Sequence, residues 1–353
     1  MLIPNVKQSK FKNKELYIRP RYIIFFLLFI FAWIMFGLNY SNADYSNYEI
    51  AYYDIMACGK DNGYFEVGFF LLVKIFTLLG LSYQGFLVII SAICLIIFTK
   101  ALSYLTDNIL LSFSCYLVYP FVFDIVQYRN FLAFSLVLYG IHYLIDSKSK
   151  VSKNIIKYMF CVAIGCLIHQ SAIIYSLFLM VLIKRTKILS IVTGVLFFAF
   201  IILIANPNIL FNVLHLLNLD RYARYDIDFA YTTFYQYCAV QLMFLFLAVL
   251  KFRNNLQSPK LKLMIITSLF LPFIIMNGTS ARLIRNVYIL FYAFIFEYEA
   301  KRFLQISVEQ FFSIIAVIAT VLFVFYSQLC SGLYYDIVLN PILKYNLLFG
   351  KLF

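Results

Sequence analysis

Residues 155–183 read IIKYMFCVAIGCLIHQSAIIYSLFLMVLI, an apolar run in which the polar pair His169 and Gln170 stands near the middle. As one α-helix this run would be about 43 Å long, well beyond the roughly 30 Å hydrocarbon thickness of a bilayer. Lysines and arginines flank it on both sides, and such clusters stay on the cytoplasmic side of a membrane. The run is therefore predicted to fold as a hairpin of two short helices, with His169 and Gln170 at its outer apex.

The composition supports a membrane protein throughout. Of the 353 residues, 64% are hydrophobic and 13% are charged, and the mean hydropathy is +0.88. A globular protein of this composition would have too little polar surface to cover its core. The net charge of +13 comes from short basic clusters between apolar runs, a pattern typical of cytoplasmic loops and not of nucleic-acid binding. The seven cysteines show no paired spacing, so we interpret them as small core residues.

The basic clusters also allow the membrane crossings to be counted. The amino-terminal tail is strongly basic and is predicted to be cytoplasmic, and the first apolar run is long enough to remain as an anchor. Counting every apolar run as a span would put the lysines that follow residue 147 outside. We therefore predict that the run 65–81, which contains Glu66 and Lys74, is an interfacial or re-entrant outer helix. About eleven crossings remain, near 22–40, 84–103, 108–123, 129–145, 155–169, 170–184, 188–206, 235–251, 261–277, 285–300 and 310–329.

The predicted architecture is a single all-α integral membrane domain over residues 1–353. Its parts outside the spans are a cytoplasmic basic tail (1–21), an outer loop that contains the interfacial helix (41–83), a second outer loop (207–234) and an outer carboxyl-terminal segment (330–353).

This topology gathers the unusual polar residues on the outer face. A charged side chain costs about 2.5–3.5 kcal/mol at the bilayer centre, so each one needs a partner or a ligand. Guanidinium groups bind phosphate oxygens bidentately and keep their charge. Several arginines around one histidine therefore predict a site for a pyrophosphate attached to a lipid, where the histidine acts as a general base or as a hydrogen-bond donor. The candidate residues are Asp44, Glu66, Gln127, Arg129, His169, Arg221, Arg224, Arg282 and Arg285.

Each candidate also has a structural interpretation that the sequence leaves open. Arg129 can extend from a helix end to the interface, and Arg282 and Arg285 can anchor the end of a helix. His169 can be a satisfied core histidine, and Asp44 can be a turn residue. The two arginines of the second outer loop stand beside three aspartates, which favours salt bridges in a solvated loop.

Other ligands find no support in the sequence. There is no soluble domain and no glycine-rich phosphate loop, so the donor is expected to be linked to a lipid and not to a nucleotide. The His, Cys, Asp and Glu residues show no spacing typical of metal ligands. We predict neither a metal nor another cofactor.

Four short motifs occur in a fixed order in the first half of the chain: DYSNY at 44–48, YFEVGF at 64–69, QYRNFLA at 127–133 and IHQSA at 168–172. Together they resemble the EpsG family of bacterial oligosaccharide repeat-unit polymerases, which is functionally equivalent to the Wzy-type polymerases of O-antigen and capsule. The resemblance covers roughly residues 40–185 and is weaker through Arg282 and Arg285. One departure is Asn130, where the family pattern has a second glutamine.

The resemblance implies a GT-C-like glycosyltransferase architecture with an outward-facing cavity, in the cytoplasmic membrane of a bacterium. It also implies the reaction, in which a growing glycan is transferred from undecaprenyl pyrophosphate to the terminal sugar of another lipid-linked unit. The product would be an O-antigen, a capsule or an exopolysaccharide. The implied partners are the lipid-linked oligosaccharide, membrane lipid, a chain-length regulator and a flippase.

The resemblance also implies roles for individual residues. His169 would orient or deprotonate the acceptor hydroxyl, and Asp44 or Glu66 would be the rival base. The residues that would hold pyrophosphate are Arg129 with Arg282 or Arg285, supported by Gln127, Arg221 and Arg224.

Three other functions compete with this prediction. A flippase for the same lipid-linked units would show two related halves and polar residues on both faces, whereas here the polar residues are one-sided. A membrane sugar O-acyltransferase would need its histidine and arginine to face the cytoplasm. A purely structural membrane partner would leave the buried charges without a reason.

Overall fold

The computed structural model describes residues 20–60, 63–146, 150–206, 208–209, 212, 215, 230–276, 278–297, 307–330 and 334–348. These residues form helices joined by short turns, and the described part of the chain contains no β-strand. The α-helices in chain order are α1 (Pro20–Gly37), α2 (Tyr45–Cys58), α3 (Val67–Leu78), α4 (Tyr83–Leu105), α5 (Ile109–Val118), α6 (Phe121–Val126), α7 (Tyr128–Ile145), α8 (Val151–Ile168), α9 (Thr186–Ala205), α10 (Tyr231–Lys251), α11 (Pro259–Ile266), α12 (Phe273–Met276), α13 (Arg282–Ile295), α14 (Val308–Phe325) and α15 (Asn340–Lys344). A 3-10 helix, Gln170–Leu182, lies between α8 and α9.

Membrane-length helices dominate this architecture. Within the described ranges, seven helices are long and apolar enough to cross a membrane: Pro20–Gly37, Tyr83–Leu105, Val151–Ile168, Thr186–Ala205, Tyr231–Lys251, Pro259–Met276 and Val308–Cys330. Three shorter apolar helices, Val67–Leu78, Ile109–Val118 and Gln170–Leu182, accompany them. The prediction of an all-α polytopic membrane protein is confirmed.

The apolar run 155–183 folds back on itself at His169. Helix α8 ends at Ile168, and the backbone of His169 is extended (φ −150°, ψ 118°) before the 3-10 helix begins. The Tyr158 hydroxyl donates a hydrogen bond of 2.5 Å to the carbonyl of Tyr175. These residues would be about 25 Å apart along one continuous helix, so this contact requires the predicted hairpin.

The segment that contains helix α3 contacts the short helix α2 just before and just after α3. Just before α3, the ring of Phe65 stacks on Tyr48 of α2, with ring centroids 6.0 Å apart. Just after α3, the carbonyl of Leu81 accepts a hydrogen bond of 2.8 Å from the hydroxyl of Tyr52, also on α2. Residues on both sides of α3 therefore contact the same 14-residue helix.

The last described segment returns to the end of α1. Tyr40 donates its backbone N–H to the carbonyl of Tyr345 at 2.9 Å, and Leu347 donates to the carbonyl of Leu38 at 3.0 Å. Asn346, which is buried, adds a side-chain hydrogen bond of 3.0 Å to the carbonyl of Ile34. The carboxyl-terminal segment and the end of α1 thus lie at the same end of the helices.

The helices differ strongly in how much of their surface is buried inside the protein. Every residue of α13 from Leu283 to Ile295 is buried, so this helix forms the centre of the fold. In contrast, only 17% of an 18-residue apolar window is buried in α9, and the same holds for Val308–Cys330. Their exposed apolar side chains are those expected to contact lipid.

Candidate functional site

The predicted site residues stand where helices begin or break, at one end of the fold. Glu66 precedes α3, Arg129 lies in the first turn of α7, and Arg282 and Arg285 lie in the first turn of α13. His169 occupies the break between α8 and the 3-10 helix. Helix starts present backbone N–H groups and a favourable dipole to anions, so this end of the molecule suits a negatively charged ligand.

Arg129 and Glu66 form an ion pair that is largely withdrawn from solvent. The Nη1 atom of Arg129 lies 3.3 Å from Oε2 of Glu66, and their side chains are 15% and 9% exposed. The same Nη1 donates to the carbonyl of Tyr64 at 3.2 Å. The guanidinium also lies over the rings of Tyr48, Phe65 and Phe69, at 5.4–5.8 Å from their centroids. Arg129 is therefore held in one position by a carboxylate and an aromatic wall.

Glu66 also joins this arginine to the hairpin break. Its second oxygen, Oε1, accepts a hydrogen bond of 3.1 Å from the backbone N–H of Gln170. That N–H belongs to the first turn of the 3-10 helix, where backbone donors lack intrahelical partners. One carboxylate thus ties the start of α3, the start of α7 and the residue after His169 together.

His169 is held by its own neighbours in sequence and by α7. Its side chain is 5% exposed in the fold, and its Nδ1 accepts a hydrogen bond of 3.2 Å from the backbone N–H of Ser171. The Ser171 Oγ lies 2.8 Å from the same Nδ1 and 3.3 Å from Oδ1 of Asn130. Asn130 follows Arg129 directly, so the histidine and the arginine are joined through two residues.

Arg285 lies in a second, more deeply buried environment. It is 3% exposed, its Nη2 donates to Oε1 of Gln127 at 3.3 Å, and its guanidinium lies 4.0 Å from the centroid of the Phe123 ring. Among the described residues no carboxylate lies within ion-pair distance of it. The buried Asp124 accepts a hydrogen bond of 2.9 Å from the Tyr116 hydroxyl instead.

Asp44 lies in the field of two arginines. Its side chain does not cap α2. Burial raises the pKa of the Asp44 carboxyl, and the positive charges of Arg282 and Arg129 oppose that rise. Burial also raises the pKa of the Tyr48 hydroxyl, to about 12, and the positive charges of the same two arginines oppose that rise. Arg282, Arg129 and Asp44 therefore share one electrostatic neighbourhood.

Among the residues that the structure describes, Arg282 differs from Arg129 in having no fixed partner. Its side chain is partly exposed. Within the described ranges, its guanidinium makes no hydrogen bond and no ion pair. A cation in this state beside a half-buried carboxylate is well placed to bind an incoming anion.

Two predicted residues, Arg221 and Arg224, lie outside the described residues. In turn, the structure adds residues that our list of candidates lacked. Ser171 and Asn130 connect His169 to α7, and both stand inside the motifs quoted above. Asp124 is a single acid in an apolar stretch, and intramembrane acids are rare enough that this signal alone could have identified it.

The charges at this end of the fold suit an anion. Three arginines approach one end of the fold, and two carboxylates, Asp44 and Glu66, lie among them. No group of three or more His, Cys, Asp or Glu side chains in the described ranges could hold a metal ion. Such a set of groups can hold a phosphate or pyrophosphate and can offer a carboxylate and an imidazole to a reacting hydroxyl.

One of three comparisons with known proteins found a match. No curated protein and no solved structure matches the chain. A family model described as the EpsG family matches residues 22–347 and so includes every residue of the cluster described above. Because the match extends over nearly the whole chain, this protein belongs to the EpsG family.

Proposed function

We propose that this protein is a polymerase of lipid-linked oligosaccharide repeat units. EpsG family membership points to a Wzy-like role in polysaccharide synthesis. One observation supports the proposal of a polymerase most directly: residues of three of the sequence motifs contact one another. Glu66 pairs with Arg129 and also accepts a hydrogen bond from the backbone beside His169. Arg282, which has no fixed partner among the described residues, acts on Asp44 next to this network.

The proposed topology has eleven crossings, with the amino terminus in the cytoplasm and the site on the outer face. The crossing elements are α1, α4, α5, α7, α8, the 3-10 helix, α9, α10, α11 with α12, α13 and α14. The pairing of Asn346 with Asn39 supports an odd number, because it brings the carboxyl-terminal segment to the far end of α1.

Contacts at the opposite end of the helices support the same orientation. The amine of Lys262 donates to the carbonyls of Ile183 and Lys184, and Arg253 pairs with Glu309 at 3.1 Å. These basic residues collect at the end away from Arg129. Positive charge favours the cytoplasmic side of a membrane, which leaves the arginine cluster facing out.

In the proposed reaction, the hydroxyl of the terminal sugar on one lipid-linked unit attacks the anomeric carbon of the other unit. The bond from that carbon to the pyrophosphate oxygen breaks, the hydroxyl proton passes to a base, and undecaprenyl pyrophosphate leaves. Arg282 and Arg129 would bind the pyrophosphate, with Arg285 and Gln127 behind them. Arginines can neutralise the charge that develops on the leaving group.

Asp44 is the better of the two proposed bases. Both oxygens of Glu66 are already engaged, since Oε1 accepts a hydrogen bond from the backbone N–H of Gln170 and Oε2 forms the ion pair with Arg129. The pKa of Asp44 is raised by burial, which makes its carboxylate a stronger proton acceptor. The two loop arginines, Arg221 and Arg224, would add charge around the same ligand.

The wider setting is also part of the proposal. It comprises a GT-C-like architecture, the cytoplasmic membrane of a bacterium, and supply of units by a flippase with control of length by a separate regulator. The outer position of the site supports this order, because a polymerase that faces outward needs its units moved across the membrane first.

The test is deletion of the gene followed by complementation. Deletion should abolish long surface glycan and leave single repeat units on lipid, and Arg282→Ala, Arg129→Ala and His169→Ala should fail to restore length. The matched control is Arg253→Ala at the opposite end, where the ion pair with Glu309 is largely exposed and worth little. Normal glycan length in the three site variants, at expression equal to the control, would overturn the proposed site. Loss of outer-face units altogether would favour a flippase.

A further inference from the structure

We infer that a pocket between α2 and the turn that follows it binds neutral sugar residues of the growing glycan. Residues of this α2 pocket include Asn47, Ile50, Ala51, Asp54, Lys60 and Tyr64. The inference deepens the proposed function and rests on it in one respect, since the sugars reach this pocket as part of a donor whose pyrophosphate binds beside it.

Helix α2 supplies one wall of the α2 pocket. Asn47, Ala51 and Asp54 follow one another at intervals of four and three residues, so they lie along one face of the helix. The adjacent face carries Tyr48 and Tyr52, which are buried in the fold. The pocket therefore lies along the open side of a helix whose other side is held by packing.

The turn after α2 completes the lining. Gly59 ends the helix with a left-handed backbone (φ 64°), and its N–H donates a hydrogen bond of 2.8 Å to the carbonyl of Ile55. Gly63, with φ 78°, lines the pocket together with Lys60 and Tyr64. The pocket has a volume of about 340 Å³, within the range of about 300–1,000 Å³ that is typical of small-molecule sites.

The polar groups of the α2 pocket suit a neutral ligand with many hydroxyl groups. The carboxylate of Asp54 accepts hydrogen bonds, the ammonium of Lys60 donates them, and the amide of Asn47 does both. None of these three side chains makes a hydrogen bond or an ion pair with another residue that the structure describes.

The charges and the apolar lining narrow the choice of ligand. One acid and one lysine balance each other, so the pocket favours neither an anion nor a cation. Ile50 and Ala51 add apolar surface between the polar groups. A sugar ring matches both parts, because it carries hydroxyl groups around apolar C–H faces.

Tyr64 places the α2 pocket next to the arginine cluster. The carbonyl of Tyr64 accepts the hydrogen bond of 3.2 Å from Nη1 of Arg129. Its ring, which is 46% exposed, lies 6.2 Å from the ring of Tyr48 between centroids, and Tyr48 in turn lies under the Arg129 guanidinium. One residue therefore belongs both to the pocket and to the surroundings of the proposed pyrophosphate site.

This position identifies which glycan occupies the pocket. In the proposed reaction the donor carries the pyrophosphate that leaves, so its sugars begin where the arginines bind. The acceptor presents only its terminal sugar there, because its own pyrophosphate lies at the far end of the unit. The exposed side chains of Asn47, Asp54 and Lys60 leave the pocket open to solvent, so a long chain can continue beyond it.

The direct test measures binding without turnover. The probe is the soluble oligosaccharide released from purified lipid-linked units by mild acid, and the readout is magnetisation transfer from the full-length protein to the sugar hydrogens. Ala51→Phe fills the pocket without removing a charge, and the matched control is Ala57→Phe, which is exposed on the same helix and outside the lining. We expect Ala51→Phe to weaken binding at least about 10-fold and Ala57→Phe to leave it unchanged.

A milder variant guards against a folding defect in Ala51→Phe. Asn47 is exposed, so Asn47→Ala should keep the thermal stability of the protein and weaken binding about 5-fold through lost hydrogen bonds. Equal binding by the unmodified protein, Ala51→Phe and Asn47→Ala would overturn the inference. So would a lack of binding by the unmodified protein.

The second test connects the pocket to polymerisation. With purified lipid-linked units, Ala51→Phe should raise KM at least about 10-fold and change kcat less than about 3-fold, because it removes binding that the ground state and the transition state share. An unchanged KM in Ala51→Phe would overturn the assignment to the growing glycan. If the unmodified protein binds the oligosaccharide but makes no polymer, the proposed function fails and the sugar-binding pocket stands.

Discussion

Arg129 and Arg285 lie at the same end of the fold but are accommodated in opposite ways. Arg129 has a carboxylate at 3.3 Å, and that carboxylate also holds the backbone of Gln170. Arg285 is more deeply buried and has a glutamine oxygen and an aromatic ring as its neighbours. The carboxylate that its charge acts on, that of Asp124, lies beyond ion-pair distance.

The difference indicates what each arginine does in the absence of a ligand. A buried charge that lacks an opposite charge lowers stability, whereas a paired one also fixes the groups that it joins. Arg129 is therefore part of the scaffold, and under the proposed function it also binds the ligand. Arg285 has no carboxylate partner among the described residues, and under the proposed function the negative charge beside it arrives with the substrate.

The largest expected effect comes from replacing each arginine by methionine, which keeps the apolar stem. Arg285→Met should lower polymerisation at least about 100-fold and leave the free energy of unfolding unchanged or raised. Arg129→Met should lower polymerisation similarly but destabilise the protein by about 3 kcal/mol, because Glu66 becomes a buried charge without a partner. Glycan length on gels and thermal unfolding in detergent measure the two quantities.

The reference for this comparison is Glu66→Ala, which removes the carboxylate of the ion pair and keeps the arginine. This substitution leaves Arg129 as a buried charge without a carboxylate partner among the described residues, as Arg285 is. It also removes the oxygen that accepts the hydrogen bond from the backbone N–H of Gln170. We expect a loss of about 3 kcal/mol, and the double variant Glu66→Ala with Arg129→Met should recover part of it. Equal stability losses in Arg285→Met and Arg129→Met would show that the two environments do not differ as described.

Several parts of this arrangement could be predicted from the sequence. Basic residues on both sides of a run too long for one crossing were enough to predict the break at His169, because charge and length together allow one solution. The same reasoning predicts that the run 65–81 does not cross; this stays a prediction, and the structure shows that both ends of α3 contact α2. Lysine and arginine clusters report on membrane sides, so they carry information about topology.

Pairing between distant side chains could not be predicted in this way. Nothing in the periodicity of an apolar helix shows that Glu66 faces Arg129, or that Asn39 meets Asn346 at the other end of the chain. Arg282 and Arg285 are three residues apart and look alike in sequence, yet one is partly exposed and the other is buried. Which arginine is enclosed depends on the aromatic residues of α6, and that packing is a property of the assembled fold.

A smaller effect should come from moving Glu66 away from Arg129 without changing either residue. A Cβ on Gly68 would lie 2.7 Å from the carbonyl oxygen of Leu167 at the end of α8, so Gly68→Ala forces α3 and α8 apart. We expect a destabilisation of about 1–3 kcal/mol and shorter glycan, because the ion pair and the contact with Gln170 are strained together. The measurements are thermal unfolding and glycan length.

The matched control for Gly68 is Gly194 in α9. No atom lies within 4 Å of a Cβ built there, so Gly194→Ala should stabilise the protein by about 0.5–1 kcal/mol through helix propensity. Normal stability and glycan length in Gly68→Ala would mean that the close approach of α3 to α8 is not needed to hold Glu66 in place.

The smallest effect on stability concerns Asp44, whose carboxyl is near both Arg129, which is paired, and Arg282, which has no pair among the described residues. Burial raises the pKa of Asp44 above its usual value of 3.8, so the folded protein binds this proton more tightly than the unfolded chain. Ionisation then lowers stability as the pH rises from that usual value through the raised pKa. Asp44→Asn should therefore be more stable than the unmodified protein at neutral pH, and this advantage should shrink as the pH falls towards 4.

Thermal unfolding of both proteins between about pH 4 and pH 8 measures this effect, and Asp54→Asn on the exposed face of α2 supplies the baseline. Asp44→Asn should also abolish polymerisation if its carboxylate accepts the hydroxyl proton. Parallel stability curves would show that the arginines fully compensate the burial of Asp44. In that case Arg282 is engaged by Asp44 as firmly as Arg129 is by Glu66, and the contrast between paired and unpaired arginines would apply to Arg285 alone.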